Sequence, residues 1–187
     1  ERLASSFAQV CGNGGSHRAL DLDVTLEEAW VRAIGEVEAV HGRLDVLVNN
    51  AGYAQPRSIE ATTLQDWRAD IAVNLDSVFL GTKYSLPLLA RSGSGSIVNI
   101  SSIIGLVSGP KTGAYSAAKS GVRLFTKTTA LECAVARNGV RANSVQPGQV
   151  QTTLFEQNLS DPAQARELPT RIPLGRYGQP REIAEVV

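Results

Sequence analysis

Two short apolar runs, Val46-Leu47-Val48 and Ile97-Val98-Asn99-Ile100, punctuate this chain, with longer helical patterns between and after them. Runs so apolar present almost no polar face to water, so both read as central strands buried on two sides. With their flanks they predict strands at Leu44–Asn49 and Gly95–Ser101, and weaker patterns add Arg18–Val24 and Val140–Gln146. The helical period predicts helices at Leu26–His41, Leu64–Leu89 (Pro87 bending its end), Gly113–Arg137 and Pro180–Val187. Parallel neighbours need a crossover, which is usually a helix, so this alternation predicts a parallel sheet with helices on both faces. No repeat or low-complexity linker divides residues 1–187, which read as one domain.

The chemistry concentrates between Ile100 and Lys119, where Ser102 is followed thirteen residues later by Tyr115-Ser116-Ala117-Ala118-Lys119. A tyrosine and a lysine four apart share one helix face. A serine at the end of the preceding strand can meet both. Of the four tyrosines, only Tyr115 has a lysine four residues on. A phenol ionises near pH 10, and general acid–base work at neutral pH calls for a value near 7. Lowering it by three units takes roughly 4 kcal/mol. A positive charge about 4 Å away supplies on the order of that at an effective dielectric of about 20. Lys119 is therefore expected to depress the Tyr115 phenol, and Ser102 to donate a hydrogen bond to a substrate oxygen. Such a trio moves a proton onto or off an alcohol oxygen, which is half of a carbonyl–alcohol redox reaction.

With Asn49-Asn50-Ala51-Gly52 upstream and Pro147-Gly148-Gln149-Val150-Gln151-Thr152 downstream, the chain resembles the classical short-chain dehydrogenases/reductases from Leu22 to about Ala184. The resemblance implies a Rossmann-like, doubly wound α/β fold and a nicotinamide cofactor, NAD or NADP. It gives catalytic roles to Asn74, Ser102, Tyr115 and Lys119: Asn74 positions the lysine through a water, and Lys119 also holds the cofactor ribose. It places Asn50, Ala51 and Gly52 on the adenosine side of the cofactor, and Asp23 with Val24 at the adenine. Pro147, Gly148, Val150 and Thr152 then fall near the nicotinamide carboxamide. Thr25 with Glu28 three residues on also reads as a capping box.

The same resemblance implies that the first two strands and the last strand of the family fold are missing, with the chain trimmed at both ends. The glycine-rich pyrophosphate turn would lie among them. Cys11-Gly12-Asn13-Gly14-Gly15 follows no strand and opens no helix, so it fails the context of a phosphate loop. A chain with these termini is expected to be inactive alone, and the residue that selects NAD or NADP is not among those read.

Eighteen basic and eighteen acidic residues cancel without a long block of either sign, which argues against nucleic acid or an anionic membrane as partner. Cys11 and Cys133 suit reduced thiols in a cytoplasmic protein, His17 and His41 lack metal-ligand spacing, and no apolar run spans a membrane. Val78, Phe79, Tyr84, Leu88, Phe125 and Leu131 cannot all face one sheet, and the resemblance implies a homodimer or homotetramer across these helices. The segment at about 151–175 (Phe155, Leu159, Leu168, Ile172) matches the family's substrate loop, with Asp161-Pro162 opening a short helix. Together with Ile103, Ile104, Leu106 and Val107 it points to a small-molecule substrate, a lipophilic or cyclic secondary alcohol or its ketone. A non-catalytic dinucleotide-sensing or scaffold protein on this fold is the alternative from another class; such proteins usually lack one of the four catalytic side chains. A 3-oxoacyl-acyl-carrier-protein reductase is a further alternative, although Tyr53-Ala54-Gln55-Pro56 departs from the pattern of those enzymes.

Overall fold

The computed structural model describes residues 17–153, 155 and 167–187. In chain order it contains α1 (Glu27–His41), β1 (Val46–Asn49), α2 (Leu64–Ile71), a π turn (Ala72–Asp76) and α3 (Ser77–Arg91). Then come β2 (Ser96–Ile100), a 3-10 turn (Ile103–Gly105), α4 (Gly113–Ala136), β3 (Arg141–Val145), a second 3-10 turn (Leu168–Arg171) and α5 (Pro180–Ala184). The strands form a parallel sheet in the order β1-β2-β3, the Rossmann-like arrangement that the alternation predicts.

Register puts Leu47, Ile97 and Ala142 side by side. Their common face packs on Leu89 of α3 and Cys133 of α4, and both helices present an apolar stripe there. Burying one such leucine or isoleucine contributes about 1.5–3 kcal/mol. Among the described residues β1 is an edge strand rather than the central one its apolar run predicts, and its opposite face leaves Val46 and Val48 52% and 41% exposed.

Three expectations about elements need correction. Arg18–Val24 is not a strand: a strand requires ladder bonds to a neighbour, and none of the described residues offers one. The predicted capping box is also absent, because Asp23 captures Thr25 first. The Asp23 carboxylate accepts from the Thr25 N–H at 2.9 Å and its hydroxyl at 2.7 Å, which turns that hydroxyl away from the helix. Helix α1 consequently starts at Glu27 with Leu26 as an uncapped N-cap.

The expected helix over Leu64–Leu89 is interrupted, and not by Pro87, which sits inside α3. The break is the π turn at Ala72–Asp76. Two side chains bond to the helix carbonyls at this turn. The Asn74 amide donates to the Asp70 carbonyl at 3.0 Å, and the Ser77 hydroxyl donates to the Val73 carbonyl at 2.6 Å. A true capping box, Thr63 with Asp66, starts α2. The Cys11–Gly15 loop, Leu159 and the Asp161-Pro162 helix start lie outside the described residues, as does the Leu168 side chain.

Candidate active site

Asn49, the last residue of β1, registers opposite Asn99, the last but one of β2. Asn49 Nδ2 donates to Asn99 Oδ1 at 2.8 Å and to Thr82 Oγ1 at 3.4 Å. Asn99 Nδ2 donates to Thr126 Oγ1 at 2.9 Å, and the Thr126 hydroxyl donates to the Val122 carbonyl at 2.7 Å. All four side chains are buried and partnered, so the ladder ties the strand ends to α3 and α4 in a low-dielectric interior where hydrogen bonds are strong. Sequence reasoning missed Asn99, Thr82 and Thr126. The available signal was an asparagine inside an apolar strand.

Beyond β2, Ser101 fastens the chain to both sides. Its N–H donates to the Val145 carbonyl at 2.8 Å and its hydroxyl to the Lys119 carbonyl at 2.7 Å. The next residue, Ser102, is buried with its hydroxyl accepting from the Ile104 N–H at 3.2 Å. On α4 the buried positions Ala114, Ala118, Lys119, Val122, Thr126 and Cys133 recur at helical spacing, so Lys119 falls on the inward face. Its ammonium donates to the Ile100 carbonyl at 2.9 Å and lies 5.8 Å from the centre of the Tyr115 ring. Burial drives its pKa down to about 8. For Tyr115, burial pushes the phenol up, a hydrogen bond with the Ser102 side chain pulls it down, and the Asp70 charge raises it. The expectation that the Lys119 charge decides the phenol's acidity is therefore revised, because burial dominates at both groups. The trio itself is assembled as the spacing predicts.

Asn74 reaches the same place from the π turn. It is fully buried, and its side chain clamps the backbone of Tyr53 from both ends: Nδ2 donates to the Tyr53 carbonyl at 2.9 Å, and Oδ1 accepts the Tyr53 N–H at 3.2 Å. Immediately before, Gly52 passes so close that a Cβ there would stand 2.9 Å from Asn74 Oδ1 and 3.3 Å from Lys119 Nζ. The Asn49–Gly52 turn, the asparagine and the lysine thus meet at one point.

A cleft of about 540 Å³ opens above these residues, lined by Asn50, Gly52, Ser102, Tyr115, Lys119, Pro147, Gly148, Val150 and Thr152 among others. Its size falls in the range of cofactor and small-molecule sites. Ala51 lies in the turn between two lining residues, and Asn74 stands behind Gly52. Asp23 and Val24 do not line the cleft; the Val24 carbonyl accepts from the Trp30 indole at 3.0 Å. The far wall brings together Phe155, Pro180 and Ile183, and Phe155 meets the Tyr177 ring at a 59° tilt with 4.8 Å between ring centres. Ile103, Leu106 and Val107, expected at the substrate, are instead 43%, 53% and 59% exposed and do not line it; nor does Ile104. The 3-10 turn carries them off as Gly105 packs on the Lys119 backbone. Pro180 and Ile183 were missed because they arrive from the far end of the chain.

An ammonium has three donors, and Lys119 uses one on Ile100. A buried lysine with donors left facing a cleft fits the hydroxyls of a ribose, and the bare Gly52 leaves room beside it.

A family model described as enoyl-(acyl carrier protein) reductase matches residues 1–187. Cyclopentanol dehydrogenase of Comamonas sp. (strain NCIMB 9872) is 41% identical over 182 residues, 97% of this chain and 72% of that protein. The NADP-dependent (R)-specific alcohol dehydrogenase of Lentilactobacillus kefiri is 39% identical over 97% of this chain and 72% of its own length. A gluconate 5-dehydrogenase from Burkholderia cenocepacia J2315, solved in complex with NADP and tartrate, superposes with a TM-score of 0.85 at 34% identity. That match covers 94% of this chain and 68% of that one. The chain belongs to the short-chain dehydrogenase/reductase family. It is an NAD(P)-dependent oxidoreductase interconverting secondary alcohols and ketones, with a small-molecule substrate. Among the described residues no helix is long and apolar enough to cross a membrane.

Proposed function

We propose that the substrate is a cyclic secondary alcohol, or its ketone, bound in the cleft above Tyr115. The observation that carries this reading is the grouping of Ser102 and Tyr115 beside the buried Lys119 in one cleft, facing a wall of Phe155, Pro180 and Ile183. The names of the Comamonas and Lentilactobacillus relatives support it.

A nicotinamide cofactor held in this cleft would supply the hydride acceptor for oxidation and the hydride donor for reduction. Ser102 holds the substrate oxygen by a hydrogen bond that strengthens as charge develops there. Tyr115 gives its proton to that oxygen in reduction and takes it in oxidation. Its phenol, held above the ordinary value, is protonated near neutral pH and so is poised as the acid for ketone reduction. Lys119 would offer its remaining donors to the cofactor ribose, and Asn74 holds the turn against which the lysine packs. In that complex the Asn50–Gly52 turn would take the adenosine side and Pro147, Gly148, Val150 and Thr152 the carboxamide side, while Asp23 with Val24, outside the cleft, would meet the adenine where it extends beyond it.

The test is Tyr115→Phe in the enzyme assayed with cyclopentanol and either nicotinamide cofactor. Turnover should disappear while cofactor affinity stays nearly unchanged; retained turnover removes Tyr115 from this role.

We also infer a homodimer or homotetramer across the outer faces of α3 and α4. There Phe79 meets Phe125 edge-to-face at 6.1 Å between ring centres, and Leu131 and Val135 are 68% and 85% exposed. Sedimentation should show the larger species in the wild type and a shift toward monomer in Leu131→Arg; a monomeric wild type contradicts it.

A further inference from the structure

Asp70 is the buried charge that the mechanism above leaves without a task. It lies on α2, one turn before Asn74, and is only 5% exposed. Asn74 Nδ2 bonds to its carbonyl at 3.0 Å and sits 3.4 Å from its Oδ1. Asp70 lines a small polar pocket with Gln55, Arg57, Thr62, Lys111 and Tyr115, and of these only Tyr115 also lines the main cleft. Burial of a carboxylate is unfavourable unless a cation and hydrogen bonds compensate. Arg57, which shares this pocket, is engaged with Asp66 at 2.5 Å and offsets the Asp70 charge only in part.

We propose that Asp70 is a positioning residue for proton transfer: from behind the Asn74 amide, its carboxylate sets the electric field in which the Tyr115 phenol ionises. This rests on the alcohol–ketone reading of the cleft. The titratable and charged groups around it are Arg57 and Tyr53 from the loop after β1, Asp66 from its own helix, Lys111 before α4, and Tyr115. Burial pushes the Asp70 carboxyl above the usual carboxylate range, and its negative charge in turn raises both Tyr53 and Tyr115. The sign follows directly: a negative charge opposes a phenolate, so neutralising Asp70 makes the phenol ionise at lower pH.

The first readout needs neither cofactor nor turnover. Phenolate absorbance is titrated in the wild type, Asp70→Asn, Tyr115→Phe and the double variant, so that the differences isolate Tyr115. Asp70→Asn keeps an oxygen acceptor for Asn74 and should shift the Tyr115 transition down by about half a pH unit or more; Asp70→Glu should restore it. Arg57→Gln, nearer the surface, should shift it up, because the Asp70 charge then loses its partial offset. An unchanged Tyr115 transition in Asp70→Asn overturns the proposal, as does an unchanged one in Arg57→Gln should Asp70→Asn not fold. The second readout is the pH profile of kcat/KM for cyclopentanol oxidation, whose acid limb should move down with the absorbance transition. A purely structural role for Asp70 would lower kcat without moving that limb. A wild type inert toward cyclic alcohols would instead defeat the substrate reading, with the absorbance titration still deciding the role of Asp70.

Discussion

Lys119 on α4 and Ile100 at the end of β2 are joined by one hydrogen bond, from the ammonium to the backbone carbonyl at 2.9 Å, in a place where Lys119 is 3% exposed. One neutral acceptor does not replace the water an ammonium loses on burial, and no carboxylate is bonded to it among the described residues. The cation is thus held by the fold at a cost to stability, which suits a group awaiting a polar ligand.

Lys119→Met should therefore stabilise the cofactor-free protein. The lysine pKa falls from 10.5 to about 8 in the fold. Between those values the unfolded chain binds more protons, so wild-type stability rises with pH across that window. Below pH 8 the full penalty applies, roughly 3 kcal/mol. Losing the Ile100 hydrogen bond returns about 1 kcal/mol of it. Thermal unfolding at pH 7 should show Lys119→Met more stable by on the order of 2 kcal/mol, with the gain vanishing toward pH 10.5. A variant less stable than wild type at pH 7 would rule this out.

Gly52→Ala tests how firmly three parts of the site are set against one another. The added Cβ would come within 2.9 Å of Asn74 Oδ1, whose side chain is held by the Tyr53 backbone and the Asp70 carbonyl. It would also meet Lys119 Nζ at 3.3 Å. With neither neighbour free to give, stability should fall by about 1–3 kcal/mol and kcat/KM by on the order of a hundredfold. Unfolding curves and steady-state kinetics check the two together; wild-type values in both would mean that the Asn74 clamp yields easily.

The Tyr115–Lys119 pair was legible because helical periodicity is local: four residues along one helix suffice to place both side chains. The strands around Leu47 and Ile97 were legible for a similar reason, since an unbroken apolar run has few other uses. What escaped depended on partners far away in the chain. The π turn brings Asn74 to the backbone of Tyr53, 21 residues earlier, a contact that no window around Asn74 displays. Arg18–Val24 has the composition of a strand, but strand formation belongs to a pair. Ile103, Leu106 and Val107 were placed at the substrate because they follow Ser102 closely, whereas the wall is built by Pro180 and Ile183 about eighty residues on. The acidity of Tyr115 was misjudged because a sequence shows which charge is near but not how much water has been excluded.

The π turn also makes chain length itself a structural variable. Between Ile71 and Ser77 the helix holds one residue more than a regular spiral would need, so α2 and α3 run in different angular phase. Deleting any one residue there would let the ladder close as a plain α-helix and rotate everything before it by about 100° relative to β1. Asp70 would then turn out of its pocket while Ser77 and the rest of α3 kept their places. Substitutions in this segment act on single contacts, but a change of length acts on the orientation of the whole preceding element.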